Sequence, residues 1–206
     1  QPYTYLNCGS QCYVFKSQDN RFVLKFFKDK KWLTKCILSK LPPFVFVNEF
    51  RERRVARIER TLRRTLESSL VSFTIFKNET GTIYANLSSK NQIGINVTVT
   101  DRLGLTHVLG LSEIPFIIQH RAQPVDAYLL KQRTEGNTTE AKKAIDLLLN
   151  FKLHQSYKGF NDKDPHPIRN FGFLNNQVIE IDNGGFYPVD KKQANLKCIN
   201  NIKNDF

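Results

Sequence analysis

The chain has 206 residues, of which 40% are hydrophobic, and this is enough for a sizeable core in one or two domains. Lysine and arginine outnumber aspartate and glutamate by 31 to 19, so the net charge of +12 favours anionic partners such as nucleotides, nucleic acids or acidic membrane surfaces. The four cysteines have neither paired C-x-x-C spacing nor a histidine cluster, which argues against a zinc site and against a disulfide framework.

The N-terminal segment predicts three strands. The first two, within 5–15, are joined by a tight turn at Gly9 and Ser10. An apolar run over 21–27 predicts the third strand, which carries Lys25 among apolar neighbours. Because a buried ammonium group is costly without a partner or ligand, Lys25 is a candidate functional residue.

A long helix is predicted from about Val47 to at least Leu70. Its apolar stripe contains Val55, Leu62 and Leu66. Glu52 and Glu59 lie on the same stripe, where a glutamate needs a cationic partner. Lys25 is the expected partner, with Glu59 preferred to Glu52, and pairing with neighbouring arginines on a solvated helix is the alternative.

The opposite face of this helix is basic. It contains Arg53, Arg57, Arg60 and Arg64. We expect this face to be solvated, or else to meet an acidic partner surface, which includes the face of a membrane. No motif in the chain specifies nucleic acid.

Alternating apolar residues after the helix predict four more strands, over 82–87, 95–100, 106–111 and 115–120. The segment from Asp101 to Gly104 is expected to join the second and third of these strands as a hairpin. Helices are predicted over 125–131 and 140–157, with Thr139 as the N-cap of the second helix. The second helix leads the chain into a polar loop.

Two polar positions near the C-terminal end predict a pair of oxygen ligands. Asn170 closes the polar loop, and an apolar strand ends at Asp182, two residues before Gly184. A short turn at Asn175 and Asn176 would bring the two ligands together. Adjacent carboxylate and amide oxygens suit a magnesium ion on a polyphosphate, so this region predicts phosphoryl transfer.

The order of these motifs resembles the protein-kinase-like superfamily along nearly the whole chain, as a short, divergent, atypical member of bacterial type. The family's Gly-rich loop falls on 6–14, where Gly9 is the one family glycine that is present. The strand motif with the phosphate-binding lysine falls on 23–25. The metal-binding D-F-G motif falls on 182–184, and the catalytic-loop asparagine falls on Asn170.

The catalytic base has two candidates in this resemblance. The family places an aspartate five residues before the catalytic-loop asparagine, and here that position is Pro165. Asp164 is therefore the first candidate for the base, and Asp162 is the second. The resemblance also implies that Glu59 orients Lys25 toward the phosphates.

The resemblance implies an α+β fold with two lobes. Residues 1–121 would form a strand-rich N-lobe, and residues 122–206 a reduced helical C-lobe. ATP would lie between the lobes, with Lys25 on its phosphates and with Mg²⁺ held by Asn170 and Asp182. Further contacts to the nucleotide would come from the loop and from the hinge between the lobes, at Gly9, Ser10, Val14, Gln119, His120 and Arg121.

Two functional alternatives stay open beside this phosphotransferase. In the first, the protein is a pseudokinase that binds nucleotide or a partner as a scaffold; in the second, it is a basic module that binds an acidic surface or nucleic acid. If it is an enzyme, the phosphate acceptor would be a hydroxyl group of a protein or of a small molecule. No apolar run of about 20 residues and no signal peptide is found, so a cytoplasmic location is expected, with removal of a signal or anchor before Gln1 as the alternative.

Overall fold

The computed structural model describes residues 1–28, 45–88, 93–112, 114–163, 166, 168–182 and 184–205. Within these ranges the protein is a mixed α+β structure. Its strands are β1 (Tyr3–Cys8), β2 (Cys12–Ser17), β3 (Phe22–Phe27), β4 (Thr82–Asn86), β5 (Asn96–Thr100), β6 (Thr106–Gly110), β7 (Phe116–His120), β8 (Gln123–Pro124), β9 (Phe160–Asp162), β10 (Phe171–Leu174), β11 (Gln177–Glu180) and β12 (Phe186–Pro188). Its helices are α1 (Val45–Thr74), α2 (Lys77–Thr80), α3 (Val125–Thr134), α4 (Thr138–Tyr157) and α5 (Lys191–Asp205).

A seven-stranded sheet in the order β4-β7-β3-β2-β1-β5-β6 forms the largest layer of the described part of the chain. β1 and β5 are parallel, and the other neighbouring strands are antiparallel. The predicted hairpin between β5 and β6 is confirmed. The Asp101 carboxylate closes it by accepting the backbone N–H groups of Leu103 and Leu105 and by contacting His107 Nε2 at 2.8 Å.

Alternation along the strands gives the sheet two different faces, because successive side chains point to opposite sides. On β3, Leu24 and Phe26 pack into a buried apolar cluster, whereas Val23 and Lys25 point to the other side. The buried members of this cluster, here called the sheet core, are Tyr3, Phe15, Leu24, Phe26, Val97, Val99, Leu111 and Phe116.

Two small sheets lie after the large one in the chain, β11-β10-β8 and β12-β9. A second apolar cluster packs β10 and β11 against α3 and α4, with Val125, Ala144, Leu148, Phe171, Phe173 and Val178 as its buried members. Gly172 permits the close approach of β8 to β10, because a Cβ atom there would lie 2.7 Å from the Gln123 carbonyl oxygen. The turn between β10 and β11 places Asn175 and Asn176 at positive φ, which asparagine tolerates well.

Most of the predicted elements are confirmed by the described residues. The strands predicted over 1–27 and 82–120 are present, as is the long helix predicted from Val47, which begins two residues earlier as α1. The N-cap prediction is wrong, because α4 already includes Thr139 and is preceded by Asn137, which makes no side-chain capping bond. The short strands β9 and β12 and the helix α5 were not predicted.

In the described ranges, none of the helices combines the length and the hydropathy that crossing a lipid bilayer would require.

Candidate functional site

A cavity of about 390 Å³ opens on the face of the seven-stranded sheet that carries Lys25. Segments that are far apart in the sequence form its walls: the turn between β1 and β2, the strands β3 and β7, one face of α1, and the ends of the segments around β10 and β11. The residues predicted to bind nucleotide and metal all line this cavity: Gly9, Ser10, Val14, Lys25, Gln119, His120, Arg121, Asn170 and Asp182. We call it the large cavity.

Lys25 reaches across the large cavity from the middle of β3. Its Nζ donates a hydrogen bond to the backbone carbonyl of Ile181, the residue before Asp182. Burial lowers the pKa of Lys25, and the nearby Asp182 carboxylate opposes that shift. The lysine therefore lies in a desolvated position next to an acidic group, as a residue that contacts anionic ligands requires.

Asn170 and Asp182 lie side by side, as the sequence predicts. The backbone carbonyl of Asn170 accepts the N–H groups of Ile181 at 2.7 Å and of Asp182 at 3.4 Å. The Asn170 residue is only 6% exposed, whereas Asp182 is exposed to the cavity, where its Oδ1 accepts the Gly184 N–H at 3.2 Å. The two-residue turn between β10 and β11 produces this arrangement by returning the chain beside Asn170.

The donor set of this pair fits a magnesium ion. Carboxylate and amide oxygens are hard donors, and Mg²⁺ in nucleotide sites is held by one or two protein groups together with phosphate oxygens and water. Among the described residues, no cluster of three or more His, Cys, Asp or Glu side chains forms a metal site made of protein groups alone.

The turn between β1 and β2 covers one side of the large cavity. The Gly9 N–H donates to the Cys12 carbonyl at 3.0 Å, and the Lys28 ammonium donates to the Gly9 carbonyl. The Gln11 side-chain amide lies against Gly184, where it occupies the space that a Cβ atom would take. The tip of the turn thus contacts the segment that follows Asp182.

A second, smaller cavity of about 210 Å³ adjoins the large cavity and shares the wall made by Asn170 and Asp182. It is here called the small cavity. The residues that line the small cavity but not the large one are Thr61, Arg64, Asp162, Lys163 and Gly185. Asp162, the second candidate for the base, therefore lies beside the predicted metal ligands. Asp164, the first candidate, lies outside the described residues, so the choice between them stays a prediction.

The absence of a side chain at Gly185 leaves space for the Asp162 carboxylate. A Cβ atom at Gly185 would overlap the Asp162 carboxylate, and the Gly185 carbonyl accepts the backbone N–H of Lys163 at 3.2 Å. The pairing of β12 with β9 sets this contact, because Phe186 is the cross-strand partner of Asp162.

Glu180 is a buried acid in the site that the sequence analysis did not single out. It is fully buried at the end of β11, and its Oε2 accepts a hydrogen bond from the Gln155 amide. Burial raises the pKa of Glu180 well above its ordinary value, and the charge of Asp162 raises it further. A charged residue that ends the apolar run of β11 was the available sequence signal.

Gln119 links Glu180 to β7, the strand on which Gln119 lies and which lines the large cavity. Its Nε2 donates to the backbone carbonyl of Glu180 at 2.9 Å and also to that of Thr80. Gln119 is itself fully buried on β7. The inner end of the large cavity is therefore held by a buried polar network.

The helix α1 presents hydroxyl groups to the site, beside the predicted apolar stripe, whose Val55, Leu62 and Leu66 are half-buried. The buried residues on this face are Thr65, Ser68, Ser69 and Ser72, which recur at helical spacing. Ser69 and Ser72 satisfy their hydroxyls locally, by donating to the carbonyls of the residues four positions earlier. The Ser68 oxygen accepts the Phe186 N–H at 2.7 Å, which ties α1 to β12.

Glu59 does not lie on this inward face. It is exposed, as are Glu52 and the four predicted arginines of the opposite face. The charge that most opposes the lowered pKa of Lys25 is that of the Asp182 carboxylate. The exposed position of Glu59 does not fit the buried stripe on which its role was based, and its pairing with Lys25 stays a prediction.

Comparisons with known proteins add little to this geometry. No protein-family model matches the chain, and no curated protein matches it either. A solved complex of Rv3197 from Mycobacterium tuberculosis with erythromycin is similar over 90% of this chain and 46% of that one, with 18% sequence identity and a TM-score of 0.45. The chain thus spans about half the length of that protein. Membership of the protein-kinase-like superfamily stays a prediction.

Proposed function

We propose that the protein binds Mg·ATP in the large cavity and transfers the γ-phosphate to a hydroxyl group. The observation that carries this proposal is the meeting of Lys25, Asn170 and Asp182 in one cavity. These residues come from distant parts of the sequence and supply one cation and two oxygen ligands, which is the set that a metal-bound polyphosphate requires. A cavity of about 390 Å³ is also within the range of small-ligand sites.

The roles follow from the positions of the side chains. Lys25 neutralises charge on the phosphates. The N–H groups of His120 and Arg121 already donate to the carbonyls of Gly81 and Arg21 at 2.9 Å, so an adenine edge would pair with the backbone at Ala122, which also lines the large cavity. Asn170 and Asp182 would hold Mg²⁺, which supplies charge neutralisation across the phosphate oxygens. The acceptor oxygen forms a bond to Pγ while the bond from Pγ to the bridging oxygen breaks, and that electron pair leaves with ADP.

The proton of the acceptor hydroxyl goes to a carboxylate near the metal ligands. Asp162 lies in the small cavity next to Asp182 and is positioned for this role. Asp164 is the alternative base. The proposal requires that one of the two accepts the proton, and separate substitutions distinguish them.

We also propose that the fold is the two-lobed arrangement of protein kinases. Two separate apolar clusters support this division. The sheet core draws its buried members from residues before 121, whereas the cluster around β10 draws its buried members from residues after 122. The large cavity is lined by residues from both parts.

A pseudokinase is the second candidate function. The observation that favours it is the contact of Gln11 with Gly184, which places a side chain between the β1–β2 turn and the segment after Asp182. In a catalyst, bound phosphates would have to displace this side chain. The pseudokinase would bind nucleotide without transferring phosphate.

Thermal unfolding with and without Mg·ATP tests nucleotide binding. A ligand at 100 times its Kd stabilises the folded state by about 2.7 kcal/mol, so saturating Mg·ATP should raise Tm clearly. Asp182→Asn should lose the part of this increase that depends on magnesium, whereas Asp146→Asn, on the exposed side of α4, should keep it. An unchanged melting curve at millimolar Mg·ATP would contradict nucleotide binding.

Phosphate transfer separates the enzyme from the pseudokinase. Asp162→Asn and Asp164→Asn should leave Mg·ATP binding nearly intact, and the one that removes the base should lower the transfer rate by about 100-fold or more. Binding of Mg·ATP with no transfer to the protein itself, to generic protein or to small hydroxyl compounds would favour the pseudokinase.

A further inference from the structure

The small cavity lies where a phosphate acceptor would have to bind. It shares Asn170 and Asp182 with the large cavity, and it extends from them to Asp162. A molecule in the small cavity is therefore next to the metal ligands and next to a candidate base. This position follows from the proposed function, on which the inference rests.

The size of the small cavity restricts the acceptor. Its volume is about 210 Å³, which corresponds to roughly seven water molecules at about 30 Å³ each. It is smaller than the usual range of about 300–1,000 Å³ for drug-sized ligands. The cavity thus suits a compound with a few carbon atoms.

The charges around the small cavity restrict the acceptor further. Arg64 enters from α1, and Lys163 follows β9, so two cations face the same space as the carboxylates of Asp162 and Asp182. Asp182 is assigned to Mg²⁺ and Asp162 to the acceptor hydroxyl. The two cations remain for the other end of the acceptor, and the planar guanidinium of Arg64 matches a carboxylate or phosphate group.

The helix face next to Arg64 adds polar atoms to the same wall. Thr61 and Thr65 also line the small cavity, one turn apart on α1. Their hydroxyls donate to the carbonyls of Arg57 and Thr61, at 2.9 and 3.0 Å, so their oxygens can accept a hydrogen bond from a ligand hydroxyl. The wall formed by α1 is thus polar and cationic, and the wall formed by the segments at Asp162 and Asp182 is acidic.

We propose that the phosphate acceptor is a small compound that carries both a hydroxyl group and an anionic group. It binds in the small cavity, with its hydroxyl at Asp162 and its anionic group at Arg64 and Lys163. The hydroxyl oxygen forms the bond to Pγ of ATP, the proton passes to Asp162, and ADP leaves with the electron pair of the broken bond. The product is a phosphate ester of the anionic compound.

Calorimetric titration in the absence of nucleotide tests the binding part directly. The probes are glycerate, glycerol 3-phosphate, glycerol and ethanolamine, which are small hydroxyl compounds that differ in charge. We expect the two anions to bind and the neutral and cationic probes to bind at least about tenfold more weakly. Equal binding of all four probes, or failure of both anions to bind at 10 mM (an order-of-magnitude ceiling for a weak ligand), would overturn the inference.

Substitutions at the two cations identify the binding groups. Arg64→Gln and Lys163→Gln should each weaken binding of the anions by about tenfold and leave Mg·ATP binding unchanged. Both residues are exposed, so folding should be retained. Arg63→Gln is the matched control, since Arg63 lies on the same helix but pairs with Glu67 on the surface at 2.9 Å.

The outcomes separate this inference from the proposed function. If the anions bind and Mg·ATP does not, the phosphotransferase proposal fails while the anion site stands. If Mg·ATP binds and the substitutions at Arg64 and Lys163 weaken Mg·ATP instead of the anions, these cations serve the γ-phosphate, and the acceptor inference is overturned. If Arg63→Gln weakens the anions as much as Arg64→Gln does, the effect is general surface charge, and the inference is again overturned.

Discussion

The two faces of the seven-stranded sheet are made by the same strands but bury different chemistry. One face forms the sheet core, a cluster of buried apolar and aromatic side chains. The other face lines the large cavity and carries Lys25 and Gln119 between apolar residues of β3 and β7. A single alternating pattern therefore separates the part of the sheet that stabilises the fold from the part that can bind a ligand.

Because the two faces bury different side chains, a substitution on one face can be made without changing the side chains of the other face. Neighbouring residues such as Leu24 and Lys25 lie on opposite sides of the sheet. Substitutions on the core face should change the free energy of unfolding. Substitutions on the cavity face should change ligand binding and leave stability nearly unchanged or increased.

The largest effect is expected on the core face. Phe116 is 2% exposed and contacts Phe26 edge to face at 6.4 Å between ring centroids. Phe116→Ala should lower the free energy of unfolding by about 3–5 kcal/mol, measured by urea denaturation, because it removes buried area and leaves a void. Val108→Ala on the 68% exposed β6 position should change it by less than about 0.5 kcal/mol. Similar losses at both positions would contradict the division between faces.

The next largest effect is expected at Gly185. A methyl group there would overlap the Asp162 carboxylate, so Gly185→Ala should displace Asp162. If Asp162 is the base, the phosphate transfer rate should fall by about 100-fold with Mg·ATP binding retained. The control is Gly110→Ala, whose added Cβ would lie 3.6 Å from Asn96 Oδ1, an ordinary contact. An unchanged rate in Gly185→Ala would mean that Asp162 is not the base.

A smaller change in stability than that at Phe116 is expected at Lys25. Lys25→Met removes the desolvation cost of a cation but also its hydrogen bond to the Ile181 carbonyl, so the two effects oppose each other and the free energy of unfolding should change by no more than about 1 kcal/mol. The same variant should lose the increase in Tm caused by Mg·ATP. Lys142→Met on the exposed side of α4 should keep that increase. A strongly destabilised Lys25→Met would show that Lys25 stabilises the fold.

The smallest effect is expected at Glu180, and it depends on pH. Since the pKa of Glu180 is raised in the folded state, its proton stays bound where the unfolded chain has lost it, and stability falls as pH rises above about 4.5 toward the folded pKa. Glu180→Gln removes this dependence. The variant should gain on the order of 1 kcal/mol over the wild type between about pH 5 and 8, measured by urea denaturation with EDTA present.

The exposed Glu67 provides the control for this measurement. Glu67→Gln should follow the wild-type dependence of stability on pH, because Glu67 is exposed on α1. A constant difference between Glu180→Gln and wild type across this pH range would show that Glu180 does not carry a raised pKa.

The sequence predicts structure well where the polarity of a side chain matches its burial. The strands of the large sheet were found because apolar and polar residues alternate along them, as in β3 and β7. Asn170 and Asp182 were found because a polar residue that follows a loop or ends an apolar strand stands out from its neighbours. Their closeness in space required only a short turn at Asn175 and Asn176.

The sequence predicts poorly where polarity and burial disagree. The inward face of α1 carries Thr65 and Ser69, whose hydroxyls donate to the helix backbone, so hydropathy alone did not mark these residues as buried. Glu180 has a local signal as the charged end of the β11 run, but its partner Gln155 lies on α4, 25 positions away in the sequence. Contacts between distant segments leave no local pattern.

The hydrogen bonds of Gln119 have a consequence for the rate at which a ligand leaves. Its amide donates to the carbonyls of Thr80 and Glu180, so hydrogen bonds link the segments on both sides of Gln119 at the large cavity. At the outer end, the Gln11 side chain contacts Gly184, and a change of side-chain rotamer can release this contact. If the contact slows dissociation of a bound molecule, residence time should shorten when Gln11 is replaced by alanine, while the affinity contributed by Lys25 is preserved.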